Sequence, residues 1–427
     1  MIATAIVLLL VLIGLSLPVG AALGVLGLTL DPLFSSLPLS RALGELTWSS
    51  STEFLMVAIP LFILLGEILL RAGFAERMYG AMALWLSWLP GGLMHANIGA
   101  STLFAATSGS SVATAATVGT VAIPQIKRYR YNEPLFLGSI AAGGTLGILI
   151  PPSINLVIYG VLTNSSVPKL YLAGIIPGFL LAGLFMLVVA IACLIKPSWG
   201  GHRISATWGE RFASLRHLIP PLGIFLMVVG SIYAGLATPT EAAALGVLGA
   251  LLLAAAFRRL TFAMLRDSLE GTMRSTAMIM LIVVAASFLN FVMSAIGLTD
   301  AMTKSIVGLG LSAGWMLLVV VIFYVILGCF METLSMMIVT IPLVAPIMIQ
   351  LGADPIWLGI VIIVLVETAL ITPPVGLNLF VVHSLRKSGS MNAVIVGSLP
   401  FVGALFAIVA LLAAFPDLAL WLPRVFG

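Results

Sequence analysis

Apolar runs follow one another from Ile2 to Leu422, separated by short stretches that carry most of the charge. They lie at about 2–30, 53–70, 133–162, 169–195, 217–236, 240–257, 275–297, 355–382 and 391–416. A bilayer core of ~30 Å takes about 20 apolar residues in a helix, so runs of this kind are membrane spans. Their hydrophobicity is continuous rather than alternating, and many exceed the ~10 residues of a barrel strand. The expected fold is therefore an all-α polytopic membrane protein. Charged residues are only 8% of the chain, too few to cover a water-facing surface. Aqueous enzymes and nucleic-acid binders are excluded, and the net charge of +4 sits in loops.

Two histidine-poor, cysteine-poor halves leave little room for metal chemistry. The four histidines are scattered, and Cys193 and Cys329 lie far apart in apolar runs, which suggests buried free thiols. No Lys or Arg precedes Arg41, so the first apolar run lacks a signal peptide's basic start and reads as a first span. It is long enough for two short pieces with a break near Pro18.

Two further segments, 93–126 and 315–349, are apolar but carry small or polar residues in their middles. A straight helix of either length would reach ~51 Å, too long for one crossing; two full spans and a turn would need more than ~40 residues. Two half-length helices entering and leaving on one side fit best, and such re-entrant hairpins must be buried in protein or face water. With both hairpins re-entrant, fifteen of the basic residues fall on one side and four on the other. The positive-inside bias makes the richer side cytoplasmic and places both termini outside, after ten crossings. Trp48, Trp85, Trp88, Trp199, Trp315 and Trp357 fall near span ends, as interfacial anchors do.

The chain also repeats itself at an offset of about 222. ALGVLG occurs at 22–27 and at 244–249, Pro124 answers Pro346, and Pro151-Pro152 answers Pro373-Pro374. Asn155 answers Asn378 and Pro177 answers Pro400 after a one-residue insertion. Lys127, Arg128 and Arg130 follow the first hairpin, whereas no basic residue follows the second before Asp354, so the two halves have opposite topology. The expected organisation is a first inverted repeat, 1–195 (hairpin 93–126, broken helix 133–162), a linker, 196–216, and a second repeat, 217–427 (hairpin 315–349, broken helix 355–382). Inverted repeats with broken helices are the architecture of secondary transporters, with the site near the midplane.

Four polar interruptions mark that site: Ser108–Thr114, the IPPSIN break, Gly328–Ser335, and the TPPVGLN break. Paired prolines end a helix, because each lacks an N–H and crowds the preceding turn. The carbonyls left without helical partners suit a desolvated Na⁺. Two cation sites are expected where a hairpin tip meets a break. Site one would use Ser108, Ser110 and Ser111 with Gly147, Pro151 and Asn155. Site two would use Gly328, Glu332 and Thr333 with Thr372, Gly376 and Asn378. An anionic substrate would lie between the tips, near Ser111, Thr114, Ser153, Thr372 and Asn378, where helix N-termini favour a carboxylate.

Of the acids, Glu332 and Glu367 lie at membrane depth, where ion binding, proton coupling and a structural hydrogen bond all remain open. Glu67 stands four residues before Arg71, as in an i,i+4 pair, and Glu241 sits at a span start. The stretches 74–89 and 299–310 are amphipathic and precede the hairpins, as arms joining a moving part to a fixed part.

At these motifs the chain resembles the large membrane (M) subunit of the tripartite ATP-independent periplasmic (TRAP) transporters. SGSSVATAATVGTVAIPQIKRYRY, LGILIPPSINLVIYG, LATPTEAAALG, FMETLSMMIVTIPLVAPI and ITPPVGLNLFVV carry the resemblance, in order along most of the chain. It implies Na⁺-driven uptake of a small organic acid, such as a dicarboxylate or sialic acid, across a bacterial inner membrane. It implies an elevator-like movement of the hairpin-bearing part. It also implies two partners, a small four-helix membrane (Q-type) subunit on a separate chain and a periplasmic (P-type) substrate-binding protein. A stand-alone divalent-anion/Na⁺ symporter of similar architecture is the alternative. An intramembrane enzyme would need a nucleophile with its base, or a metal pair, and the sequence offers neither.

Overall fold

The computed structural model describes residues 1–426 apart from 16, 203, 309, 329, 330 and 387, and gives the backbone alone for 13, 106–108 and 307. The described residues form helices joined by turns, with no strand. Pro18 divides the first apolar run into Ile2–Gly14 and Val19–Phe34, because a proline can begin a helix but not continue one. Seven described helices are long and apolar enough to cross a bilayer. One of these, Thr333–Gln350, is the second arm of a hairpin.

Both hairpins form. The first pairs Leu93–Ser108 with Ser111–Tyr129, and the second pairs Ala313–Leu327 with Thr333–Gln350. Both expected breaks form too. Glu133–Thr145 runs into a short turn, Leu146–Ile148, and resumes as Ile154–Thr163. Pro355–Ile371 stops and resumes as Leu377–Ser384. Both double prolines are cis. The second hairpin arms begin 222 positions apart, at Ser111 and Thr333, and the broken helices likewise, at Glu133 and Pro355.

Two helix starts and one tryptophan differ from the sequence reading. The helix expected at 217–236 is Trp208–Tyr233, starting inside the expected linker. Thr207 and Glu210 close a capping box there, so local hydrogen bonds start the helix before the apolar residues do. The helix expected at 275–297 is Phe262–Ala295, 34 residues long. Its first turns carry Arg266, Asp267, Glu270 and Arg274, so only its remainder needs lipid. Finally, Trp357 is no interfacial anchor: it is buried, and its indole N–H donates to the Leu412 carbonyl at 2.8 Å.

The halves interlock reciprocally. Val19–Phe34 packs on Phe262–Ala295, and its counterpart Pro239–Ala256 packs on Ala58–Arg71. Ile154–Thr163 packs on the second arm of hairpin two, while Leu377–Ser384 packs on the second arm of hairpin one. Each break is therefore roofed by the other half. Glycines permit the closest crossing, between Glu133–Thr145 and Met391–Ala414. A Cβ on Gly138 would fall 1.9 Å from the Gly397 carbonyl oxygen, and one on Gly397 1.7 Å from that of Pro134. The amphipathic arms appear as Phe74–Leu86 and Leu298–Val307. Cys193 is a buried free thiol, while Cys329 lies outside the described residues.

Candidate functional site

The first hairpin turns at Gly109, whose φ of +59° suits a residue without a Cβ, and Ser110 then caps the second arm. The Ser110 hydroxyl accepts from Ala113 N–H, and its carbonyl accepts the Thr114 hydroxyl at 2.7 Å. This tip rests on the first break: a Cβ on Gly147 would lie 2.9 Å from the Ser110 carbonyl, and one on Gly109 3.4 Å from that of Pro152. Ser110 and Ser111 thus lie against Gly147, and Gly109 against Pro152. The Ser108 side chain lies outside the described residues.

At the second tip, Glu332 occupies the position that Ser110 holds in the first. Its carboxylate caps Thr333–Gln350, accepting from Leu334 and Ser335 N–H and from the Thr333 and Ser335 hydroxyls, each at 3.1 Å. An ionised acid at a helix N-terminus is favoured by the dipole, which gives Glu332 the partner its depth demanded. Gly328 lies against Ala369, its would-be Cβ 2.0 Å from that side chain, so hairpin two touches the helix leading to the second break.

Both tips face one cavity of about 390 Å³. Its wall includes Gly109–Ala113, Ile148, Ile154 and Asn155 of the first half, and Glu332, Thr333, Leu334 and Leu377 of the second. Ile63, Gly66, Glu67, Ser275 and Met278 close it from two long helices. The sequence reading missed this third wall. Its only signal was Gly66-Glu67, a small and a charged residue within an apolar run. Glu67 does pair with Arg71, at 2.8 Å, but also faces the cavity.

The asparagines cross over. The Asn155 amide reaches Met337 Sδ of hairpin two at 3.3 Å, although Asn155 also lines the cavity with Ser110 and Ser111. Asn378, expected beside Glu332, instead donates to the Ala141 carbonyl of the first half at 3.2 Å. A Cβ on Gly144 would lie 3.0 Å from Asn378 Nδ2 and 3.1 Å from the Ser111 carbonyl, so Asn378 and Ser111 meet beside Gly144. Asn378 Oδ1 and Ser111 Oγ are both buried and lack a hydrogen-bond partner. Two buried oxygens without partners, on residues that meet beside Gly144, are groups that a hard cation would satisfy.

Other expected ligands are occupied locally. Ser153 spans the first break, donating to the Ile148 carbonyl and accepting from Leu156 N–H, so that carbonyl is not free. The Thr372 hydroxyl donates to the Thr368 carbonyl at 2.6 Å. Gly376, with φ of +48°, starts Leu377–Ser384. Thr114, Ser153, Thr372, Gly376 and Asn378 are absent from the cavity wall, so of the expected substrate contacts only Ser111 reaches it. Glu367 is fully buried and faces the Leu149 backbone N–H at the first break.

Residues 6–418 match the family described as "Tripartite ATP-independent periplasmic transporter, DctM component". The C4-dicarboxylate TRAP transporter large permease protein DctM of Pseudomonas aeruginosa is 36% identical over 91% of this chain and 90% of its own. The ectoine TRAP transporter large permease protein TeaC of Halomonas elongata is 32% identical over 86% of each. The sialic acid TRAP transporter large permease protein SiaM of Vibrio cholerae is 31% identical over 88% of this chain and 87% of its own. The structure of the Alcanivorax borkumensis YdaH transporter superposes with a TM-score of 0.58 over 92% of this chain and 90% of its own, at 17% identity, a likeness of fold alone. The relatives are permeases, so this chain is a transport component and not an enzyme. The family model covers nearly the whole chain and the permease relatives most of it, so the chain belongs to the DctM component family of the tripartite ATP-independent periplasmic transporters.

Proposed function

We propose that the chain is the membrane permease of a Na⁺-coupled, binding-protein-dependent carrier that imports a small organic acid. One observation supports this most: both hairpin tips and the first break meet at a single cavity, beside which Ser111 Oγ and Asn378 Oδ1 are buried without partners. Site one is Ser111 and Asn378 with Ser110, Gly147, Pro151 and the Ser108 backbone. Site two is centred on Glu332 and Thr333, with Gly328 and the Thr372–Gly376 segment at its edge. The substrate occupies the cavity, its carboxylate held by hydroxyls and by bound cation, since among the described residues no Lys, Arg or His lines that wall.

The hairpins and broken helices form the moving body of an elevator, and the helices bearing Glu67 and Ser275 belong to the fixed wall. Arg71 and Arg274 stand beside those residues, so the cavity opens toward the basic, cytoplasmic side. Both termini are periplasmic in this orientation, in a bacterial inner membrane. A small four-helix subunit and a periplasmic binding protein complete the system. Reconstitution of the chain with and without those partners tests the reading. Uptake should require an inward Na⁺ gradient and both partners; full Na⁺-driven uptake by the isolated chain would favour the stand-alone symporter, and uptake indifferent to Na⁺ would end both.

A further inference from the structure

Below hairpin one lies a second space, a groove of about 870 Å³ between the hairpin's second arm and Leu385, Arg386, Ser388 and Gly389. Gly119, Ile126 and Leu385 line it, and Lys127, Arg130 and Arg386 bring three cations to it. Among the described residues the one acid there, Glu133, is engaged with Arg386 at 2.6 Å, and the Arg386 guanidinium, 4% exposed, also donates to the Ser390 carbonyl. Gly389, at φ +125°, lets the loop fold over that guanidinium. Lys127 and Arg130 are exposed and form no ion pair among the described residues, so their charge is uncompensated.

The groove and the cavity share one helix face. Val112, Ala116, Thr120 and Pro124 recur every fourth residue and form one ridge. Val112 is in the cavity wall, whereas Thr120, Pro124 and Lys127 are in the groove wall. From Val112 to Lys127 the ridge descends ~22 Å. Val112, Thr120, Pro124 and Lys127 are exposed, but Ala, Thr and Pro are poor lipid-facing residues. Val167–Ile195, by contrast, exposes Phe179, Leu187, Ile191 and Leu194. This ridge of short side chains begins at the shared cavity and ends among cations without ion pairs, as a wall facing water would.

We propose that this groove is a water-filled release vestibule for a small organic anion, in which Lys127 and Arg130 hold the local potential positive along the exit from the cavity. The proposal deepens the carrier reading and rests on its sidedness. The cations act on the anion in transit and not on the cavity itself, so they set the rate of exchange with the cytoplasm.

The test uses the full chain in membrane vesicles turned cytoplasmic side out, with Cys193→Ser, Cys329→Ser and Thr120→Cys. Two membrane-impermeant thiosulfonates serve as probes, one with a sulfonate and one with a trimethylammonium group. The sulfonate reagent should react faster than its rate on a free thiol predicts, relative to the cation, by about fivefold. Lys127→Gln with Arg130→Gln should remove that preference, and raised salt should weaken it. A Thr120→Cys that neither reagent reaches would place the ridge in lipid and overturn the proposal. Equal relative rates, unchanged by the two glutamines, would also overturn it. The readout needs neither substrate nor Na⁺, so its failure leaves the carrier reading standing, and a failed uptake assay leaves the vestibule standing.

Discussion

Asn378 buries an amide whose nitrogen holds a carbonyl of the opposite half and whose oxygen has no partner. An unsatisfied buried acceptor costs ~1–3 kcal/mol, an expense that a bound cation would remove. If Asn378 and Ser111 ligate one ion, Asn378→Ala and Ser111→Ala should each raise the Na⁺ half-saturation of uptake about tenfold, and the double variant should fall short of the product of the two. Lost transport at unchanged Na⁺ dependence would assign them to packing instead. At the second tip, Glu332→Gln keeps the shape but leaves one strong acceptor where two oxygens now take four hydrogen bonds. Thermal unfolding should drop by about 1 kcal/mol for the weakened cap, and Na⁺ affinity should fall further than that if Glu332 is also a ligand. The polar interruptions were legible as residue types, including Ser110, Ser111, Gly147 and Glu332 at the tips and first break. Their partners were not. Which half Asn155 and Asn378 reach into depends on how the repeats interlock, and no spacing within one repeat carries that.

Among the elements, helix starts and stops follow local chemistry closely. Pro18, the two double prolines and the small-residue tips each end a helix where expected. Hydropathy misplaces a helix start where a capping box precedes the apolar residues, as at Thr207–Glu210, and where the first turns are charged, as in Phe262–Ala295. Packing between elements was harder to foresee, because it depends on which glycines meet. Gly138→Ala and Gly397→Ala each place a methyl within 2 Å of a carbonyl oxygen on the facing backbone, which no rotamer change relieves. Each should destabilise the purified protein by about 3 kcal/mol. Gly183→Ala, on Val167–Ile195 with nothing within 4 Å of the new Cβ, should leave the melting temperature unchanged or raised. Equal loss in all three would mean that the crossing is not close in the working protein.

For the whole molecule, the internal repeat was the most informative pattern in the chain. It related element boundaries in the two halves and paired the hairpins before any contact was known. The third wall of the cavity lay beyond it, since Glu67 answers the apolar Leu289 at the same offset. Sidedness follows from the charge division: Arg128, His202 and Arg386 should label from the cytoplasm, and Ser165 and Asp354 from the periplasm, after substitution by cysteine. Labelling of Asp354→Cys from the cytoplasm alone would sink the inverted repeat. The central claim, that hairpin tips and helix breaks build cation sites beside the shared cavity, is met most directly by equilibrium binding of radioactive sodium ion to the purified chain in nanodiscs. The account predicts saturable binding that potassium does not displace, weakened about tenfold by Asn378→Ala or Ser111→Ala. No saturable binding, or binding that neither substitution changes, would contradict it.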